Sequence, residues 1–228
     1  MRERSYLWLL FVFAATGLIA DQATKYGVFG WLAGVEGHCY AVFQTEPLQR
    51  VLEIVPAEDD PFLRGRHRGF FLEVAFEPRL QPGAPLRPHV NHGALFGFLR
   101  NYETGANLLF AGISLVAAVA ITIWGSQRRT RQDIWLCSSL GLILAGTVGN
   151  LYDRLIFNGV RDFLHWNLWF DWPVFNVADC CLVVGAAMLL LQSFIAPQPK
   201  PEDKELNKTD QALNRIESPT IQAGTPAR

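Results

Sequence analysis

The sequence predicts an α-helical membrane protein: four transmembrane helices with a small β subdomain outside the membrane. Two observations carry this. Half of the 228 residues are hydrophobic, and they gather in four apolar stretches, each near the roughly 20 residues that a bilayer span requires. Between the first and second stretches lies a polar region, residues 30–102, in which no apolar run could span. The net charge of −1 supplies no global basic field, so nucleic acid is not an expected partner.

The first helix is expected over about 5–25. Its apolar run follows Arg2 and Arg4 and looks like the h-region of a secretory signal peptide, but three further apolar segments make a first membrane helix the better reading. Asp21 and Lys25 are spaced i,i+4 with the acid first, a good order for a helix pair. They are either a surface pair or a partly buried carboxylate tying the helix to a polar site. In residues 30–102, alternating pieces at 51–55 and 70–76 suggest strands, and Glu58-Asp59-Asp60 and the prolines of 78–88 suggest loops between them. Arg64, Arg66 and Arg68 read as a solvated face. Next comes a run from 91 to 99 with Gly93 and Gly97, which suggest a bend or a close backbone approach. Asn91 can donate and accept at once, which suits gripping a peptide backbone, although an ordinary turn is the plainer reading. Helices are then expected over about 104–124, 133–154 and 174–195, making 1–195 one membrane domain, and residues 196–228 read as a disordered tail. Arg2, Arg4 and the loop arginines Arg128, Arg129 and Arg131 put both ends of the chain on the cytoplasmic side and residues 30–102 and 155–173 opposite. Trp166, Trp169 and Trp172 fall where an interfacial aromatic belt would sit.

Residues 146–181 carry Asp153, Asp162, Asp171 and Asp179 between two apolar segments, and charged groups there are functional candidates. Gly146, Asn150, Asp153 and Arg154 are spaced to run along one helical face. Asn176 and Asp179 share a face at the start of the last helix, with Ala178 beside them, and a helix N-terminus favours a carboxylate. Asp162 lies in Gly159-Val160-Arg161-Asp162-Phe163, apolar enough for an edge of structure at the membrane surface. Two carboxylates sharing a proton can activate water and protonate a leaving amine without metal, serine or cysteine. The chain has no His-Glu-x-x-His, no Gly-x-Ser-x-Gly, no Walker loop and no Cys-x-x-Cys. No metal or cofactor is expected, and Cys39, Cys137, Cys180 and Cys181 read as packing residues. Ser138 and Ser139 lack an obvious base, and His165 reads as structural. Spacing alone does not single out Asp162 and Asp179 from Asp21, Asp153 and Asp171, and a dicarboxylate enzyme and a proton-coupled transporter both fit.

Five blocks occur in order: Asp21-Gln22-Ala23-Thr24-Lys25, Asn91-His92-Gly93-Ala94-Leu95-Phe96-Gly97, Gly149-Asn150-Leu151-Tyr152-Asp153-Arg154, Val160-Arg161-Asp162-Phe163 and Phe175-Asn176-Val177-Ala178-Asp179. In these blocks the sequence resembles the bacterial lipoprotein signal peptidases (signal peptidase II), four-helix aspartic peptidases of the inner membrane, over about residues 5–195. The resemblance implies a periplasmic β cradle and a catalytic dyad of Asp162 and Asp179. It implies that Asn91, in the block with Gly93, contacts substrate backbone, that Asn150 and Arg154 line the site, and that Asp153 braces it. Asn176, beside Ala178, is implied to orient the dyad, and Asp21 and Lys25 to support it. The implied substrate is a prolipoprotein cut on the amino side of its diacylglyceryl-modified cysteine, in contact with membrane lipids, by a monomer that globomycin inhibits. Two departures stand out. The stretch between Asp21 and Asn91 is longer than usual for the family, the extra part falling between Gln44 and Arg87, and His92 and Leu95 stand where Thr and Ala are common. A proton-coupled transporter and an inactive scaffold of the same fold are the alternatives.

Overall fold

The computed structural model describes residues 4–34, 39–44, 54–55, 69–77, 85–93 and 103–195. The chain divides into Met1–Gln192, which holds the architecture below, and Ser193–Arg228, of which only the final turn of the last helix is described. The elements run α1 (Leu7–Ala33), β1 (Cys39–Gln44), β2 (Ile54–Val55), β3 (Gly69–Glu73), α2 (Glu103–Ser126), α3 (Ile134–Phe157), β4 (Leu164–Asn167) and α4 (Val177–Ile195). All four α-helices are long and apolar enough to cross a membrane. The most apolar window of α3 is 56% buried, against 11–17% in the other three, so α3 is the axis of the bundle. Outward faces carry Trp8, Phe11, Val116, Leu155 and Val183, apolar side chains that lipid covers without cost.

Small residues let α3 take this central place. Gly141, Ala145 and Gly149 recur every fourth residue. A Cβ at Gly141 would lie 2.6 Å from the carbonyl oxygen of Leu10, and Ala145 faces Gly17. A Cβ at Gly149 would lie 2.7 Å from Asp21 Oδ2 and 3.2 Å from Ala178 Cβ. Gly149→Ala is therefore expected to destabilise the protein by about 1–3 kcal/mol through overpacking. Gly112→Ala, with nothing within 4 Å of the added carbon, should be neutral or slightly stabilising. Thermal unfolding of the two variants in one detergent checks the contrast.

Local chemistry marks the helix ends. Asp133 caps α3, its Oδ1 accepting the Leu136 N–H at 3.0 Å. At the other end Asn158 adopts the left-handed conformation (φ 59°), and Asn107 of α2 donates to its Oδ1 and to the Arg154 carbonyl. The Tyr6 N–H donates to the Arg131 carbonyl, so the start of α1 and the α2–α3 turn share one end of the bundle.

The sheet is four-stranded and antiparallel, in the order β2-β1-β3-β4. The expected strands at 51–55 and 70–76 correspond to β2 and β3. β4 comes from the α3–α4 connection, where no strand was expected. It pairs Phe71 with His165 and Leu72 with Leu164, and Leu164 and Phe175 exchange backbone hydrogen bonds. α1 also runs past Lys25 to Ala33. Its 27 residues rise about 40 Å, more than a hydrocarbon core of about 30 Å, and in the surplus turns Phe29 and Leu32 bury against Val74 and Phe163. Cys39 and Cys137 are buried free thiols, and Cys180 and Cys181 are also unpaired, in keeping with packing roles. The acidic turn at 58–60, the arginines of 64–68, Leu95, Gly97 and the tail at 196–228 lie outside the described residues.

Candidate active site

Four polar blocks meet where the end of α3, the start of α4 and the 159–163 segment converge. Asn176 caps α4: its Oδ1 accepts the Asp179 N–H at 3.0 Å, and Asp179 Oδ2 accepts the Asn176 N–H at 3.2 Å, a reciprocal capping box. This leaves Asp179 Oδ1 to accept from Asn150 Nδ2 at 2.8 Å. The Asn176 amide nitrogen then donates to Asp162 Oδ1 at 2.7 Å, so one asparagine holds both aspartates. Asn91 Nδ2 donates to Asp162 Oδ2 at 3.1 Å, and Asn91 Oδ1 accepts the Gly93 N–H at 2.8 Å. Asp162 is fixed from both sides along the chain. Val160 and Asn91 exchange two backbone hydrogen bonds, and the Phe163 and Leu164 N–H groups both donate to the Phe175 carbonyl. Burial, and then the charge of Asp179, push the Asp162 carboxyl up to about 6.

A buried charged layer supports this pair. Asp21, Lys25 and Asp153 have no exposed surface. Asp21 Oδ1 accepts the Ala178 N–H at 2.8 Å, joining α1 to the first turn of α4, while its Oδ2 lies 2.8 Å from Lys25 Nζ. Lys25 is also 3.2 Å from Asp153 and 3.3 Å from Asn150 Oδ1. Of the two sequence readings of Asp21 and Lys25, the structure takes the buried one. Arg154 makes no ion pair with this layer: its guanidinium lies 5.2 Å from the Phe110 ring centre, near enough to Asp162 and Asp179 for their charges to act on it, with Nε and Nη1 making no hydrogen bond among the described residues. Gly93, at φ 87°, packs on the same ring, where a Cβ would lie 2.6 Å from a ring carbon.

The family model for signal peptidase (SPase) II matches residues 69–195, more than half of the chain. The chain belongs to the signal peptidase II family. A lipoprotein signal peptidase of Rhodopirellula baltica is 44% identical over 119 residues, 46% of this chain and 51% of that one. Another, of Pseudomonas syringae pv. tomato, is 44% identical over 107 residues, covering 46% and 61%. The chain thus spans between half and two thirds of the length of these relatives. A bacterial membrane enzyme solved by the in meso method at 1.9 Å shares the fold, with a TM-score of 0.58 at 19% identity over 86% of this chain and 99% of that one.

The structure gathers every candidate residue of this signal peptidase II chain: Asp162, Asp179, Asn91, Gly93, Asn150, Asp153, Arg154, Asn176, Ala178, Asp21 and Lys25. Two partners went unnoticed in the sequence. Gln22 donates to Asp21 Oδ2 at 2.9 Å, and Arg161 donates to Asp153 Oδ1 at 2.8 Å. Each sits inside a block beside a residue that was noticed, and the signal was charge balance: two buried acids and only Lys25 to meet them.

His165 and Asp171 belong to a different cluster. His165 Nδ1 lies 2.7 Å from Glu73 and its Nε2 2.7 Å from Asp171, clasping β4 to β3 and to the following loop. The Glu73 contact, with that to Asp171, raises the imidazole against the effect of burial. Because the folded value is raised, this stabilisation is complete below the unfolded value of about 6.5 and is lost as pH rises through the folded one. His165→Gln should therefore cost about 1 kcal/mol at pH 6, discounted for the exposure of Asp171, and less at pH 9, measured by denaturant unfolding.

Proposed function

We propose that this chain is a membrane aspartic endopeptidase that removes signal peptides from prolipoproteins, cutting on the amino side of the diacylglyceryl-modified cysteine. The observation that carries this reading is the buried Asn176, which hydrogen-bonds both Asp162 and Asp179 and so couples two half-buried carboxyl groups. The family membership and the names of the relatives, which are lipoprotein signal peptidases, support the substrate class.

Asp162 carries the shared proton. Asp179 accepts a backbone N–H and the Asn150 amide in the first turn of α4, two hydrogen bonds that favour its charged form. Asp179 takes a proton from water as the new C–O bond forms at the scissile carbonyl, while Asp162 gives its proton to the carbonyl oxygen. In the collapse, the proton on Asp179 passes to the leaving amine, the C–N bond breaks, and a hydroxyl proton returns to Asp162. Asn91 holds the substrate backbone beside Asp162, and the free donors of Arg154 serve a substrate carbonyl.

The aspartates lie at the end of the bundle opposite the α2–α3 turn with its Arg128, Arg129 and Arg131. With that turn and the N-terminus at one end, the positive-inside rule favours cytoplasmic termini and an active site at the outer face of the bacterial inner membrane. Clustering of the polar groups at one end, rather than through the membrane depth, disfavours a transporter. The test is cleavage of a synthetic precursor peptide by the purified protein in lipid nanodiscs. The diacylglyceryl-modified peptide should yield a product beginning at the modified cysteine by mass spectrometry, and globomycin should block the reaction. Absence of cleavage by folded protein, or equal cleavage of the unmodified peptide, would refute the reading.

A further inference from the structure

We propose that Arg161 is a positioning residue for Asp162. The inference rests on the peptidase reading and names the group that sets its geometry. Val160 is bonded to Asn91 and the Phe163 N–H to the Phe175 carbonyl, so Arg161 and Asp162 lie between two anchored ends. Asp162 turns toward Asn91 and Asn176, and Arg161 turns inward, where it is 1% exposed. Its Nη2 donates to Asp153 Oδ1 at 2.8 Å and to Gln22 Oε1 at 2.9 Å, and its Nε to Asp153 Oδ2 at 3.2 Å. The backbone N–H of the same residue donates to Asp153 Oδ2 at 3.0 Å. The guanidinium carbon lies 3.9 Å from the centre of the Phe157 ring and 4.3 Å from that of Tyr26. Side chain and backbone of residue 161 therefore grip one carboxylate of α3, while two aromatic rings and Gln22 of α1 fix the plane of the fork.

Val160 and Phe163 secure the segment at its ends, but neither fixes rotation of the peptide between them. Arg161 does, and that rotation determines whether the Asp162 carboxyl meets both amides. A lysine would keep the charge and lose the grip, because one ammonium cannot present a planar fork to Asp153 while reaching Gln22 and stacking on the rings. Ion pairs buried this deeply add little net stability, and their contribution is better sought in the geometry they specify.

The experiment compares wild type, Arg161→Lys and Arg161→Gln in the same nanodiscs, with cleavage rates normalised to folded protein. Arg161→Lys is expected to fold, to hold KM within about twofold and to lose about 10- to 100-fold in kcat, the penalty of a small misplacement of a reacting group. Arg161→Gln should lose more. Infrared titration supplies a readout independent of turnover: the carboxyl C=O band that disappears in Asp162→Asn should shift and broaden in Arg161→Lys. Wild-type kcat with an unshifted band in Arg161→Lys would overturn the proposal, as would a loss explained wholly by the folded fraction. If wild type itself fails to cleave the lipid-modified peptide, the peptidase reading falls, and the infrared comparison still decides whether Arg161 orients Asp162.

Discussion

Asp162→Asn and Asp179→Asn are each expected to reduce cleavage of the lipid-modified precursor by about a thousandfold or more, since in the proposed mechanism each removes one proton-transfer group of a pair that works only together. Their effects on stability should not follow their effects on rate. The folded carboxyl of Asp162 stands at about 6, above its unfolded value of about 3.9. Its contribution to stability is complete below the unfolded value and is lost as pH rises through the folded one, so at pH 7 the wild type carries about 1–3 kcal/mol of destabilisation from this one group. Asparagine cannot ionise and relieves it. The gain is partly offset because one of the donors from Asn91 and Asn176 loses its acceptor, at about 1 kcal/mol. Asp162→Asn should thus unfold no earlier than wild type at pH 7.5, and its relative advantage should shrink at pH 5. In the wild type, kcat/KM should fall above about pH 6, where Asp162 loses its proton. An inactive variant that is also markedly less stable at pH 7.5 would indicate that Asp162 is a structural carboxylate. Full activity in either variant would remove it from the dyad.

The parts legible in the sequence are those with local physical signatures. Four apolar runs define four helices because a bilayer imposes length and composition together. The Asn176–Asp179 spacing is a capping signal, and the structure uses it as a reciprocal cap. β4 was not legible. Leu164-His165-Trp166-Asn167 is too short to announce a strand, and it becomes one only by pairing with β3 and with Phe175, contacts distant in sequence. The extension of α1 was hidden for a similar reason. Gly27 and Gly30 weaken the helical pattern after Lys25, and what extends the helix is burial of Phe29 and Leu32 against Val74 and Phe163. Arg161 carried no signal of its own in the sequence. Only the fold brings Asp153 within its reach.

Lys25→Met tests whether the buried layer beneath the dyad is one electrostatic unit. In the wild type, Asp21, Lys25, Asp153 and Arg161 carry two negative and two positive charges with almost no exposed surface. Methionine fills much of the same space and removes one cation, leaving Asp21 with the Ala178 N–H and the Gln22 amide as its remaining described partners and no ion pair. Breaking a buried pair in this way typically costs about 3–5 kcal/mol, because the remaining charge is stranded. A large drop in thermal stability and in yield of folded protein is the expected result. The double variant Lys25→Met, Asp21→Asn restores neutrality. It should recover part of the loss, with a coupling of about 0.5–3 kcal/mol between the two positions. Lys25 also lowers the Asp162 carboxyl through its charge. In whatever fraction of Lys25→Met remains folded, the fall of kcat/KM should therefore move to higher pH than in the wild type. Stability and pH profile would then change together from one substitution outside the dyad. Wild-type stability in Lys25→Met, or additive losses in the double variant, would mean that the four charges are only neighbours.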